Sequence, residues 1–135
     1  MAVDSQRVGD IKNIEAESGI IASAILNPNL TFFSEQLKPN HFTNEQNAYI
    51  YYAITELAKA GVEKIDAYNI FNILNSKHAT RKAAESMTVQ SIDDFIEVAP
   101  MIARTSPEDY RLLVNSVLEA AFRRNTYNKL VECEQ

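Results

Sequence analysis

The stretch Glu15-Ala-Glu-Ser-Gly-Ile-Ile-Ala-Ser-Ala-Ile-Leu-Asn-Pro28 decides the fold. Ile14, Ile21 and Ile25 fall on one face of an α-helix, which makes the segment amphipathic. Asn13 can cap the free backbone N–H groups at its start, and Glu15 and Glu17 lie at the positive end of the helix dipole. Asn27-Pro28 closes the helix, because a proline ring disfavours helical geometry in the residue before it. Residues 1–12 are then expected to be a flexible N-terminal tail.

Outward from this helix, the chain of 135 residues holds only three glycines and four prolines. With so few breakers it should be nearly all helix. Leu30, Phe33 and Leu37 suggest a second, short helix closed by Lys38-Pro39. Thr43 and Gln46 form a capping box that opens a long third helix. Its buried stripe is Ile50, Tyr51, Ile54, Leu57 and Ala58, and Gly61 can take the left-handed conformation that ends it. Asp66 can cap a fourth helix whose Ile70, Ile73 and Leu74 face inward. Residues 76–90 are polar and weakly periodic, which reads as a loop or frayed helix. Ser91 and Asp94 open a fifth helix carrying Ile92, Phe95, Ile96 and Ala99, interrupted at Pro100. Ser106-Pro107-Glu108-Asp109 is the clearest start signal: a capping serine, proline at the first helical position, and acids in the first turn. From there Tyr110, Leu113, Val117 and Ala121 carry a helix to Gln135 with no C-cap and no partner helix. That pattern suggests a domain excised from a longer chain, since long helices are stabilised mainly by packing.

Composition narrows the function. Hydrophobic residues make up 46% and charged residues 23%, as in ordinary globular proteins. No apolar run approaches the roughly 20 residues needed to span a bilayer, and no signal sequence opens the chain, so the expected location is the cytoplasm. The one cysteine, Cys133, forms no internal disulfide. A net charge of −5 argues against a protein built to grip phosphate backbones, so little direct nucleic-acid binding is expected. The one basic cluster, Lys77, His78, Arg81 and Lys82, reads as a solvated face. Tyr49, Tyr51 and Tyr52 could stack bases, but helical spacing turns Tyr51 to the core and leaves its neighbours at the border. No Gly-x-x-x-x-Gly-Lys-Ser/Thr loop is present to cradle nucleotide phosphates. His41, His78 and Cys133 lie too far apart in sequence to suggest a metal site, and Glu15 and Glu17 point to different sides of their helix. No catalytic residue is expected.

The opening stretch also resembles the first helix of DnaB-type replicative DNA helicases: Glu-Ala-Glu, a small residue, an aliphatic cluster, another small residue and an Asp/Asn-Pro stop. Leu37-Lys-Pro-Asn-His-Phe42 is similar to that family's Leu-x-Pro-x-x-Phe turn and follows at the expected distance. The likeness continues through Gln46-Asn47, the run Ile50, Tyr51, Ile54, Leu57 to Gly61, and Ile65-Asp66. It returns at Thr105-Ser-Pro-Glu-Asp-Tyr110, Val114 and Arg123-Arg124. Where relatives carry a Gly-Gly pair before an aromatic-Leu helix, this chain has Val89-Gln90-Ser91 ahead of Ile92-Asp-Asp-Phe95.

The resemblance implies an all-α N-terminal domain: a compact orthogonal bundle of about five short helices over 13–104, then one long helix over 105–135. In the family that helix is the first arm of a dimerisation hairpin. The resemblance further implies a collar above a ring of motors, assembled as a trimer of dimers and binding primase and helicase loader. ATP and Mg would belong to the parent helicase, outside this chain, and no cofactor or metal is expected within it. Tyr110, Leu113, Val117, Leu118, Ala121 and Phe122 become candidates for oligomerisation, as an apolar stripe lacking its usual cover. Phe95, Arg123 and Arg124 become candidates for partner binding, with plain core for Phe95 and a solvated face for the arginines as the alternatives. The rival functions are a free-standing phage or bacterial protein that mimics or regulates the collar, and a small helical DNA-binding regulator.

Overall fold

Six α-helices build the chain in a computed structural model that describes the backbone of residues 2–104 and 106–134 and the side chains of residues 14–104 and 106–125. They are α1 (Ala2–Leu26), α2 (Glu45–Lys59), α3 (Ala67–Ser76), α4 (His78–Glu85), α5 (Val89–Ile102) and α6 (Pro107–Glu134), with 3-10 turns at Pro28–Phe33 and Pro39–His41. No strand occurs among the described residues. Thr105 and the Cys133 side chain lie outside them.

Helix α1 is the centre of the architecture, packing against α2, α5, α6 and the Pro28–Phe33 turn. Ile20, Ile21, Ala22 and Ala24 are wholly buried, and Ile25 nearly so. The helix begins at Ala2, not at Asn13, so the stretch read as a tail is helical and Asn13 lies inside the helix. The physical reason is the absence of a stop: residues 2–12 contain no proline, and Gly9 alone costs a helix only about 1 kcal/mol. Ile14 is exposed, and Ala16 is the first buried residue of α1 among those whose side chains are described.

The expected second helix is instead the 3-10 turn Pro28–Phe33 followed by a tight turn to Leu37. Thr31 Oγ1 donates to the Pro28 carbonyl at 2.7 Å and Ser34 Oγ to the Thr31 carbonyl at 3.1 Å. Side chains that bond nearby carbonyls compete with the α-helical ladder, and the backbone follows with Ser34 N–H to Thr31 and Leu37 N–H to Ser34. In this geometry Leu30 and Leu37 turn inward, whereas Phe33 remains 46% exposed rather than joining the core.

In the rest of the head, Ile50, Tyr51, Ala53, Ile54, Leu57 and Ala58 form the buried face of α2. Gly61 takes the left-handed conformation with φ of 82° just beyond it. Asp66 caps α3, its carboxylate accepting the Asn69 N–H at 2.7 Å. Asp66→Ala should therefore cost about 1 kcal/mol, read as a lower urea midpoint; an unchanged midpoint would mean that the cap contributes nothing.

Between α3 and α5 the structure places a real helix, α4, where a loop or frayed helix is expected from sequence. Its buried residues are only Thr80 and Ala84, too small to leave a hydrophobic signal, and Thr80 Oγ1 docks it by donating to the Leu74 carbonyl at 2.6 Å. Helix α5 is capped by Thr88, which accepts the Ser91 N–H at 3.0 Å, so Ser91 is the third helical residue rather than the cap. Val89 and Gln90 fill its first turn. Pro100 does not interrupt α5, which continues to Ile102. Pro100 removes one backbone bond and crowds the Ile96 carbonyl, yet only two helical residues follow it, and the Ala103 N–H still reaches the Ala99 carbonyl at 2.9 Å.

Candidate functional site

The start of α6 follows from its sequence: Ser106 Oγ accepts the Asp109 N–H at 3.0 Å, with Pro107 next and Glu108 and Asp109 in the first turn. The repeat Tyr110, Val114, Val117 and Ala121 advances by four, three and four residues, a helical face, and all four are buried. Their cover is α1 together with the two 3-10 turns. The stripe expected to stand open is thus largely covered by the chain's own head. Of the six residues singled out there, Tyr110, Val117 and Ala121 are buried, Leu113 and Leu118 are half-buried, and Phe122 is 70% exposed. Leu112, which the sequence reading did not select, is 67% exposed on the outer half of the helix.

Helix α6 approaches α1 closely at Gly19, where the Leu113 side chain rests. A Cβ there would stand 2.9 Å from Leu113 Cδ1 and 3.8 Å from the Ile102 carbonyl oxygen. One turn on, Ser23 Oγ donates to the Gly19 carbonyl at 2.6 Å and accepts the Arg104 N–H at 2.7 Å. That pair of bonds ties the α5–α6 connection to α1.

Three buried hydroxyls fasten α6 to the head. Ser34 Oγ lies 2.9 Å from Tyr51 Oη and 2.8 Å from Tyr110 Oη, and Tyr51 also donates to the Ser34 carbonyl at 3.3 Å. Burial pushes both phenols above their ordinary pKa, and for Tyr110 the neighbouring Tyr51 adds to the rise. Both stay neutral and able to donate. Farther along, an Arg124 Nη donates to the His41 carbonyl at 2.8 Å, whereas Arg123 pairs with Glu119 at 2.6 Å on the exposed surface. The Arg111 guanidinium stacks over the Phe33 ring, 4.9 Å from its centroid.

Glu17 carries a role that sequence did not reveal. It is completely buried, and its carboxylate accepts the Thr43 N–H at 3.0 Å, the Thr43 hydroxyl at 2.5 Å and the Asn44 N–H at 3.2 Å. It works at the start of α2 rather than at the start of its own helix. Thr43 is thereby taken from the expected capping box, and Asn44 caps α2 by accepting the Asn47 N–H at 3.0 Å. The Glu-Ala-Glu stretch and the segment just past Leu37–Phe42 are thus held together by direct bonds.

Phe95 sits half-buried on α5, packed against the core, with Val98, Met101 and Ile102 exposed farther along the helix. Phe95 lies on α5, whereas the Arg123-Arg124 pair lies on α6. Among the described residues no group of three acidic, histidine or cysteine side chains could hold a metal, and no helix is long and apolar enough to cross a membrane.

A family model described as the DnaB-like helicase N terminal domain matches residues 10–110. The chain belongs to that family. Comparisons with curated proteins and with solved structures returned no match. In this DnaB-like domain the match takes in both motif-bearing stretches and the Glu17 contact between them. It ends at Tyr110, so the α6 residues from Arg111 onward lie beyond it.

Proposed function

We propose that this domain is the collar of a replicative DNA helicase, where it mediates self-association and receives primase and helicase loader during DNA replication. The observation that supports this reading is the family match over residues 10–110 on an all-helical head with a long closing helix. The unwinding motor, with its ATP and Mg, belongs to another part of the parent protein. This chain contributes placement rather than chemistry.

Helix α6 supplies the surface for self-association. Its inner face is spent on the head, which leaves the outer half, with Leu112 and Phe122 exposed and Leu118 at the border. These exposed apolar side chains, spread along the outer half of one helix, are what a second helix could cover on association. Primase and loader are assigned to the α5 surface, where Met101 is 85% exposed near half-buried Phe95.

Sedimentation equilibrium of the 135-residue chain tests the α6 assignment. The chain should self-associate, and Phe122→Glu should weaken the association at least about tenfold, equivalent to about 1.4 kcal/mol, while leaving the melting curve in place. A Phe122→Glu protein that associates as strongly as the parent chain would remove α6 from the interface.

A further inference from the structure

The Pro39–His41 turn and the Phe42-Thr43 segment that follows it lie where three helices converge. Helices α2 and α6 both pack on the turn, Phe42 is buried against Tyr51 of α2 with ring centroids 5.0 Å apart, and Glu17 of α1 holds Thr43. At the heart of the turn His41 makes three bonds: its backbone N–H donates to the Lys38 carbonyl at 3.0 Å, and its ring and its carbonyl each accept one more. Its ring Nδ1 accepts the Lys38 N–H at 2.9 Å, and its carbonyl accepts the Arg124 guanidinium of α6 at 2.8 Å.

We propose that this turn is an acid-operated latch between α6 and the head: neutral His41 keeps the turn in the shape that offers its carbonyl to Arg124, and protonation of the ring releases the helix. An imidazole that accepts at Nδ1 carries its single proton on Nε2. Adding a second proton at Nδ1 turns the acceptor into a donor facing the Lys38 N–H, so that bond is lost. The new positive charge also faces Arg124 from α6 and the Lys38 ammonium from the turn itself, both of which repel it. From α2 the uncharged Tyr51 ring packs on Phe42 beside the turn, Glu56 and Lys59 line the groove that they share with Lys38 and Pro39, and the acid that α1 brings near, Glu17, is held by Thr43 and Asn44.

The direction follows from these contacts. Burial first, then Arg124 and Lys38, hold His41 below its ordinary value of 6.5. A depressed histidine stabilises the folded turn above its unfolded pKa, and that contribution is lost as pH falls below 6.5 through the lower folded value. The latch is closed at neutral pH and opens in acid. It concerns the attachment of α6 and does not depend on the collar role.

The chain has two histidines, so His78→Gln leaves a single imidazole signal to follow by NMR from about pH 7.5 to about pH 5. The His41 midpoint should fall below 6.5, with the Lys38 amide and the Arg124 guanidinium signals moving in step with it. Arg124→Gln should raise the midpoint. His41→Asn, whose side-chain oxygen can still accept from Lys38, should abolish the acid step at Arg124 while leaving the fold intact by circular dichroism. A His41 midpoint that Arg124→Gln leaves unmoved, or a Lys38 amide that ignores the titration, would overturn the latch; the latter reads the parent sequence directly and holds even if a variant fails to fold.

Discussion

Glu17→Ala should lower the unfolding free energy by about 2–4 kcal/mol, measured by urea denaturation at neutral pH. The carboxylate satisfies two backbone N–H groups and one hydroxyl, all at the start of α2. Hydrogen bonds to a charged group contribute about 1.5–3 kcal/mol each. The full sum is not expected, because Thr43 and Asn44 lie at an exposed helix start where water can replace part of what is lost. A buried negative charge also interacts favourably with the positive end of the α2 dipole. Glu17→Gln is the sharper comparison: its amide keeps one acceptor oxygen for the two backbone N–H groups, loses the charge, and presents an NH2 that only the Thr43 hydroxyl, by rotating, could accept. It should recover less than half of the loss. A glutamine variant as stable as the parent chain would show that charge at α2 is immaterial.

The helix starts at Asp66 and Ser106 were readable in the sequence because a cap is a local device, involving a side chain and an N–H three residues away. The same holds for Asn27-Pro28, where one ring stops α1, and for Tyr51, whose helical position alone sends it inward while Tyr49 and Tyr52 stay at the border. What sequence missed required partners from elsewhere. Glu17 looked like a helix-start acid, yet its donors stand 26 and 27 residues away, and nothing local marks such a pairing. Ser34 gave no signal either, although it joins two tyrosines, one of them 76 residues distant. Helix α4 was hidden for another reason: it docks through Thr80 and Ala84, and periodicity is visible only when the buried residues are large. Phe33 points outward because Thr31 and Ser34 draw the backbone out of the α-helical period that the Leu30, Phe33 and Leu37 spacing suggests.

For the candidate site, the family-bearing motifs could be read but the use of α6 could not. Its sequence shows an apolar stripe and says nothing of which surface covers it. The structure divides that stripe, giving Tyr110, Val114, Val117 and Ala121 to the head and leaving Leu112 and Phe122 outward. Orientation of the outward face is then inherited from the inner anchors, Gly19 beneath Leu113, Ser34 beneath Tyr110 and His41 beneath Arg124. Any change that loosens these contacts alters where Phe122 points.

Tyr110 is the anchor whose loss should matter most. Tyr110→Ala should cost about 3–5 kcal/mol, the usual range for truncating a fully buried aromatic residue, because it removes the ring from the seam and one partner from Ser34. Tyr110→Phe isolates the hydroxyl: the ring stays, Ser34 keeps Tyr51, and the expected cost is about 1–2 kcal/mol. The two variants should also differ from the parent in alkali. Both buried phenols have folded pKa values above the ordinary 10.0, so the folded state holds its protons more tightly than the unfolded chain. Their stabilisation is complete below pH 10 and is lost as pH rises from there toward the folded values. The parent chain should therefore lose stability steeply above pH 10, and Tyr110→Phe, with one such group removed, should lose it less steeply. Urea midpoints on both sides of pH 10, with phenolate absorbance recorded in parallel, provide the test. Equal alkaline slopes for the parent and Tyr110→Phe would show that the Tyr110 phenol is not held neutral by its burial against Ser34 and Tyr51.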